Sequence, residues 1–281
     1  MKLSIVILNY NTRDLLYQTL SSIETHLTHE IIVVDNASTD GSAEMVAKDF
    51  PQVKLVLNQQ NHGFAAGNNI GLNISKGDFV MLLNSDTKII NPALDLLIKH
   101  LENHPKIGII TPKLLLADGS IDLACHRGFP KIANSLAYFL KLEEKFPNSK
   151  IFAGYHQTWK DFETTHEVDA VSGAAMIIRG EVIDQIGHLD EQFFMYAEDI
   201  DFCYRAKQNG WQIVYFPEAK VMRFKCQTGN NSENKNLQTE TKRHFYQTMK
   251  QYFAKHYANK YPKPVLKLIN LGIDVISKIK K

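Results

Sequence analysis

Phe79-Val80-Met81-Leu82-Leu83-Asn84-Ser85-Asp86-Thr87 is the stretch from which the rest of the chain is read. Five apolar residues run without a break and then give way at once to polar ones. A short apolar run with an abrupt polar stop reads as a strand buried on both faces, the kind a parallel sheet contains. Such a strand delivers the residues after it to the carboxyl edge of the sheet, where open α/β folds bind their ligands. In this chain those residues are Asn84-Ser85-Asp86. An amide and a carboxylate offer oxygen ligands to a hard divalent cation, which commonly bridges to phosphates. Asn and Asp also favour turns, so this stretch alone does not separate a binding edge from a turn.

On either side of it the same grammar repeats. Leu3–Leu8 is β-branched and apolar and ends at Asn9; Ile31–Val34 ends at Asp35-Asn36; Val53–Leu57 ends at Asn58; Ile107–Ile110 is a further short run. Between them lie helical patterns, such as Leu15, Leu16, Leu20 and Ile23 after the capping Thr12 and the first-turn Asp14. Strands alternating with helices predict right-handed βαβ units and a mostly parallel central sheet with helices on both faces. Carboxamides and carboxylates at several successive strand ends exceed what turns require and point to a binding edge.

Two familiar nucleotide signatures are missing. The position after the first strand reads Asn9-Tyr10-Asn11-Thr12-Arg13, without the glycines of a dinucleotide fingerprint, and no P-loop pattern occurs. Gly63, Gly67 and Gly71 fall four apart on one helix face. Their spacing suits close helix packing; alternatively, Asn61-His62-Gly63 opens a helix whose amides face a phosphate or sugar.

Taken together, several motifs resemble the family 2 glycosyltransferases of GT-A fold, nearest to the bacterial rhamnosyltransferases and galactofuranosyltransferases. They are Val6–Asn11, Val33–Gly41, Asn61-x-Gly63-Phe64-x-x-Gly67-Asn68-Asn69 and Leu82–Asp86, with Ser172–Met176, Gly187-x-Leu189-Asp190-Glu191, Phe193–Arg205, Gly210-Trp211 and Pro217 further along the chain. The likeness runs from about residue 3 to 230, and the motifs occur in the family's order. It implies a Rossmann-like GT-A domain, expected over 1–240, and the charge and apolar pattern beyond it predict a basic, amphipathic helical tail over 241–281. It implies that Asn9 and Asp35 hold the base and ribose of a sugar nucleotide, and that Asn61, Gly63 and Asn68 line its cleft. Asp86 matches the last Asp of the family's metal motif, with Asn84 in the place of the first, so Mg²⁺ or Mn²⁺ is the expected cofactor. Asp199 matches the general base, with Glu198 beside it.

The reaction so implied is inverting transfer of a sugar, rhamnose-like or other, from a dTDP- or UDP-sugar to a hydroxyl of a saccharide or lipid-linked acceptor in cell-surface polysaccharide synthesis. An attacking hydroxyl needs a base, and adjacent, partly buried acids such as Glu198 and Asp199 raise one another's pKa. The same acids also suit a helix N-terminus, where they complement the dipole. One departure stands out. Where the family has a His after the residue matching Pro217, this chain offers Arg223. A guanidinium cannot ligate a metal but can clamp a diphosphate. His62 and His126 are weaker candidates for donor and acceptor contacts. A nucleotidyltransferase is the alternative enzyme, although its glycine-rich first turn is missing. An inactive GT-A scaffold at the membrane is the non-enzymatic alternative, which intact Asp86 and Asp199 disfavour.

The bounds agree with an enzyme of this kind. At 281 residues, with 44% hydrophobic and 22% charged side chains, the chain supports a sizeable core. Lys2 leads straight into the first strand, no leader is expected, and no apolar run spans a bilayer. Cys125, Cys203 and Cys226 are odd in number and widely spaced, which suits a reducing compartment better than a disulfide framework and lacks a zinc spacing. The net charge of +2 is uneven: from Thr241 onward ten basic residues face one acid, Asp274, which leaves the body acidic. Within that tail, Val265–Ile279 reads as an amphipathic helix with one broad apolar face, too short to span a membrane. Lysines beside such a face suit an anionic membrane surface, contacted through 262–281, with docking on the body or in a homodimer as the alternative. The expected location is therefore cytoplasmic, peripheral at the inner face of the membrane, and nucleic acid is not an expected partner.

Overall fold

The computed structural model describes residues 1–225 and the backbone of 235–279, with side chains from 239 to 278 in the latter segment. Cys226 and the basic residues Lys280 and Lys281 lie outside the described residues. Among the described residues nine strands form one sheet: β1 Leu3–Asn9, β2 His29–Asp35, β3 Lys54–Leu57, β4 Phe79–Asn84, β5 Thr87–Ile90, β6 Ile107–Leu116, β7 His166–Glu167, β8 Ala175–Arg179 and β9 Gln212–Arg223. Their order is β3-β2-β1-β4-β8-β6-β9-β5, with β7 beside β9. The first four are mutually parallel, as the apolar runs predict. β8 then enters antiparallel between β4 and β6, and β5 pairs antiparallel to β9, so the far half is mixed.

Ten helices accompany the sheet among the described residues: α1 Arg13–Ser21, α2 Ser42–Asp49, α3 Gly63–Ile74, α4 Ala93–Asn103, α5 Ile132–Phe139, α6 Leu142–Lys145, α7 Gly180–Ile186, α8 Glu198–Gln208, α9 Lys235–Tyr257 and α10 Lys263–Ile279. α3 lies against β1. A Cβ on Gly67 would come 2.5 Å from Leu8 Cδ1, and one on Gly71 would overlap Val6 Cγ1. The glycine spacing therefore records close packing of that helix on the sheet. The core is the sheet interior: Ile5, Ile7, Ile32, Met81, Leu82 and Ile177 are fully buried.

The tail is more strongly docked than its charge suggests. α9 contributes Tyr252, Phe253 and Tyr257 to the core, and its His256 and Lys255 both meet the buried Asp201 of α8 at 2.7 and 2.6 Å. α10 divides its apolar residues between two faces. Ile269 and Ile273 turn inward, while Leu268, Leu271 and Val275 stay exposed. The single broad face expected from the sequence is thus split, one stripe packed and one left at the surface.

Candidate active site

The carboxyl ends of β1, β2 and β4 lie side by side, because Asn9 is in register with Asp35 and Leu8 with Asn84. A polar lattice covers this edge. Asn9 Nδ2 donates to Asp35 Oδ2 at 2.9 Å and to Ser38 Oγ at 3.1 Å, and Thr12 Oγ1 donates to Asn9 Oδ1 at 2.7 Å. Asp35 Oδ1 accepts from Ser38 N at 2.8 Å. Asn36 extends the lattice to Asn61 Oδ1 and accepts from Asn58, which joins the end of β3. At the start of α3 the amides face inward. Gly63 N donates to Asn61 Oδ1 and Phe64 N to Phe194 O, so neither is left for a phosphate. Gly63 has φ +81°, and a Cβ there would overlap the Phe194 carbonyl. Asn68 is buried and gives its amide to Phe64 O of its own helix at 2.9 Å, and His62 is exposed.

The turn after β4 is held by its backbone. Thr19 Oγ1 of α1 donates to Ser85 O and Thr87 O at 2.9 and 2.7 Å, Thr12 Oγ1 lies 2.7 Å from Ser85 Oγ, and Phe224 N donates to Asp86 O at 2.8 Å. The Asp86 side chain is left out of this scheme. It is 3% exposed, and neither carboxylate oxygen has a hydrogen-bond partner among the described residues. A buried carboxylate without donors is costly and calls for a cation. Arg223 Nε approaches Oδ1 to 3.8 Å. The remainder of that guanidinium is turned to Asp122, whose Oδ2 lies 3.1 Å from Nη1, and Lys225 Nζ lies 2.8 Å from Asp122 Oδ1. Burial pushes the Asp122 carboxyl up, but Arg223 and Lys225 outweigh it and hold the pKa below its usual value.

The second acidic group stands at the start of α8. Glu198 and Asp199 are 5% and 7% exposed. Arg127, also buried, donates from Nη2 to Asp199 Oδ2 at 2.7 Å and to Val171 O at 2.6 Å. Gly173 N also reaches Asp199 Oδ2, at 3.2 Å, and Oδ1 accepts from Ile200 N at 2.7 Å. Glu198 has one oxygen with no partner among the described residues. Burial first and the neighbouring Asp199 second raise its pKa well above the usual carboxylate range. Tyr196 and Ala197, just before the helix, both have left-handed backbone, φ +71° and +67°. Two such non-glycine residues in succession mark stored strain at this entry.

Some residues were not foreseen. Asp122 and Arg127 belong to the site by contact, and both come from a loop that carries no periodic signal. His126, a weaker candidate for an acceptor contact from the sequence, is fully buried among Phe162, His166 and Tyr215. Burial lowers its pKa to about 4, and Nε2 lies 2.5 Å from His166 Nε2. It is part of the packing that anchors the loop. No group of three or more His, Cys, Asp or Glu side chains able to hold a metal occurs among the described residues. The Asp86 seat, with one carboxylate, fits a cation of the Mg²⁺ type that takes one or two protein carboxylates and completes its shell from phosphates and water.

Comparison with known proteins defines the class. The model of "Glycosyl transferase family 2" matches residues 4–179, and the chain belongs to that family. It is a glycosyltransferase with the GT-A fold. Over 218 residues it is 26% identical to N-acetylglucosaminyl-diphospho-decaprenol L-rhamnosyltransferase of Mycobacterium tuberculosis, covering 73% of this chain and 69% of that protein. It is 29% identical to the low-salt glycan biosynthesis hexosyltransferase Agl10 of Haloferax volcanii, with 75% and 63% covered. Among solved structures, S. aureus TarS superposes with a TM-score of 0.59 at 18% identity, over 92% of this chain and 45% of TarS. The mannosyltransferase PcManGT of Pyrobaculum calidifontis, solved with GDP-Man and Mn²⁺, gives 0.57 at 19% identity, with 96% and 69% covered. The chain therefore spans well under two thirds of TarS and just under two thirds of the Haloferax protein.

Proposed function

We propose that the chain transfers a sugar, with inversion, from a dTDP- or UDP-sugar to a hydroxyl of a saccharide or lipid-linked acceptor in cell-surface glycan synthesis. The observation that carries this reading is Asp86: a buried carboxylate with both oxygens free of donors among the described residues, at the sheet edge where Asn9 and Asp35 form a polar floor. The names of the relatives support the reaction class, since one acts on a diphospho-decaprenol-linked sugar and TarS has been solved with UDP-GlcNAc.

Asn9, Asp35 and the Asn36–Asn61 pair offer amide and carboxylate groups for a base and ribose. Gly63 and Asn68 shape that wall from behind, through the backbone of α3. Asp86, with Asn84 beside it, would hold Mg²⁺ or Mn²⁺, and such an ion supplies charge neutralisation for a departing diphosphate. Arg223 and Lys225 add positive charge on the same side. Asp199 carries the proton acceptor's role. It bears the charge of an ion pair, and Arg127 and Gly173 fix its orientation. Glu198, whose pKa is raised by burial and by Asp199, is the neighbour that holds a proton more readily.

The exposed Leu268, Leu271 and Val275 of α10, flanked by Lys263, Lys267 and Lys278, favour contact with an anionic membrane surface. Among the described residues no helix is long and apolar enough to cross a membrane. The test of the catalytic reading is Asp199→Asn with a panel of sugar nucleotides. Turnover should fall by about 10²–10⁴-fold, the range of general base catalysis, while donor affinity is kept. A variant that still turns over at the wild-type rate removes Asp199 from the mechanism.

A further inference from the structure

Arg223 stands between two buried carboxylates and is shared unequally. Its backbone is fixed close to Asp86: Arg223 pairs in register with Thr87 across β5 and β9, and the next amide, Phe224 N, donates to Asp86 O. From that root the guanidinium can serve either carboxylate. It bonds Asp122 through Nη1 at 3.1 Å, whereas the approach to Asp86 is through Nε alone at 3.8 Å. Neither Asp86 oxygen nor Arg223 Nε has a hydrogen-bond partner among the described residues. A charge-assisted guanidinium–carboxylate pair normally closes to about 2.7–2.9 Å, often through two bonds. The wider contact at Asp86 is therefore an incomplete pair, with the other partner of the guanidinium deciding its position.

That partner is well placed to decide it. Asp122 is 2% exposed. Its amide donates to Leu114 O, and its Oδ1 accepts from Ala124 N at 3.1 Å as well as from Lys225 Nζ at 2.8 Å. The Asp122 carboxylate is thus held from its own segment by Ala124 N of the turn Leu123–Cys125, and its backbone is tied to Leu114 of β6, the strand that pairs with β9 beside Arg223. Without its charge, the Arg223 guanidinium would have Asp86 as the nearer unsatisfied anion and would close on it.

We infer that Asp122 is a positioning residue that holds Arg223 off Asp86 and so keeps the Asp86 carboxylate open for a divalent cation. This rests on the reading of Asp86 as the cation seat. It also accounts for an arginine near the metal position. A cation adjacent to a metal seat repels the ion unless a second anion restrains it, and Asp122 is that anion. The same contact gathers Arg223 and Lys225 on one carboxylate, which leaves the trio with a net positive charge facing the seat, suited to a diphosphate.

The test is Mn²⁺ binding to the purified full chain, monitored by the electron paramagnetic resonance of the free ion, with and without UDP. Asp122→Asn keeps the shape of the side chain and removes its charge. It should weaken Mn²⁺ binding at least about tenfold, in the range of coupling between contacting groups. Arg223→Gln alone should bind Mn²⁺ at least as tightly as wild type and UDP more weakly. The double variant Asp122→Asn/Arg223→Gln should regain the Mn²⁺ affinity of Arg223→Gln, which general damage to the loop would not allow. Wild-type affinity in Asp122→Asn, or a double variant as weak as Asp122→Asn, overturns the inference while leaving the cation seat intact. Should Asp122→Asn fail to fold, Arg223→Gln still decides: weaker Mn²⁺ binding means that Arg223 supports the seat rather than being restrained from it. A wild-type chain that binds no Mn²⁺ under either condition removes the cation seat itself, and this inference with it.

Discussion

At the scale of single residues, the site separates two buried acids by their partners. Asp199 has a guanidinium; Glu198 has none, and its pKa rises through burial and through Asp199. The stability consequence has a definite sign. A carboxyl whose folded pKa lies above its unfolded value keeps its full contribution below the unfolded pKa and loses it as pH rises through the folded pKa. Glu198→Gln should therefore leave the melting temperature near pH 4 unchanged and raise it near pH 8, by about 2–4 °C for each kcal/mol recovered. Equal shifts at both pH values would show that Glu198 is not the titrating group. The places of Asn9, Asp35 and Asp86 at the sheet edge were readable because each stands at or just past the end of an apolar run, whereas their roles in a sugar-nucleotide site were implied only by the family resemblance. The places of Asp122 and Arg127 were not readable, since they depend on β6 and on the β8–α8 region folding around them.

At the scale of elements, the strands that were legible are those with continuous apolar runs, β1 to β4. β6 was legible only to Ile110. It continues to Leu116 through Pro112, where the register with β9 shifts, and a proline inside a strand masks its continuation. β5 is four residues long and alternates buried and exposed, and the insertion of β8 between β4 and β6 leaves no local trace. Two helix starts hold the site under different constraints. α3 needs its first glycine: Gly63→Ala would place a methyl against the backbone carbonyl of Phe194 at a left-handed position, and should cost about 1–3 kcal/mol, the usual overpacking penalty, measurable by urea unfolding. α8 is entered through left-handed Ala197, and a glycine there relieves a strain of about 1–2 kcal/mol less its own entropy cost. Ala197→Gly should therefore melt slightly higher than wild type; a lower melting temperature would mean that the Ala197 methyl contributes more by packing than its backbone costs.

At the scale of the whole molecule, the edge of the parallel half-sheet carries the polar floor of Asn9 and Asp35, while loops of the mixed half supply Asp122 and Arg127 and the end of β9 supplies Arg223. The tail closes over α8, where Lys255 and His256 meet Asp201, and it presents an apolar stripe on α10 to the surface. Removing residues 262–281 should release the protein from vesicles rich in phosphatidylglycerol, as judged by co-sedimentation. Retention equal to that of the full chain would assign the stripe to a protein contact instead. All of this depends on Asp86 anchoring a nucleotide sugar through a divalent cation at the sheet edge. The decisive experiment is calorimetric titration of a sugar nucleotide with Mn²⁺ into wild type and Asp86→Asn. Binding should require Mn²⁺ in the wild type and be lost in Asp86→Asn; equal, metal-independent binding by both proteins would contradict a cation seat at Asp86.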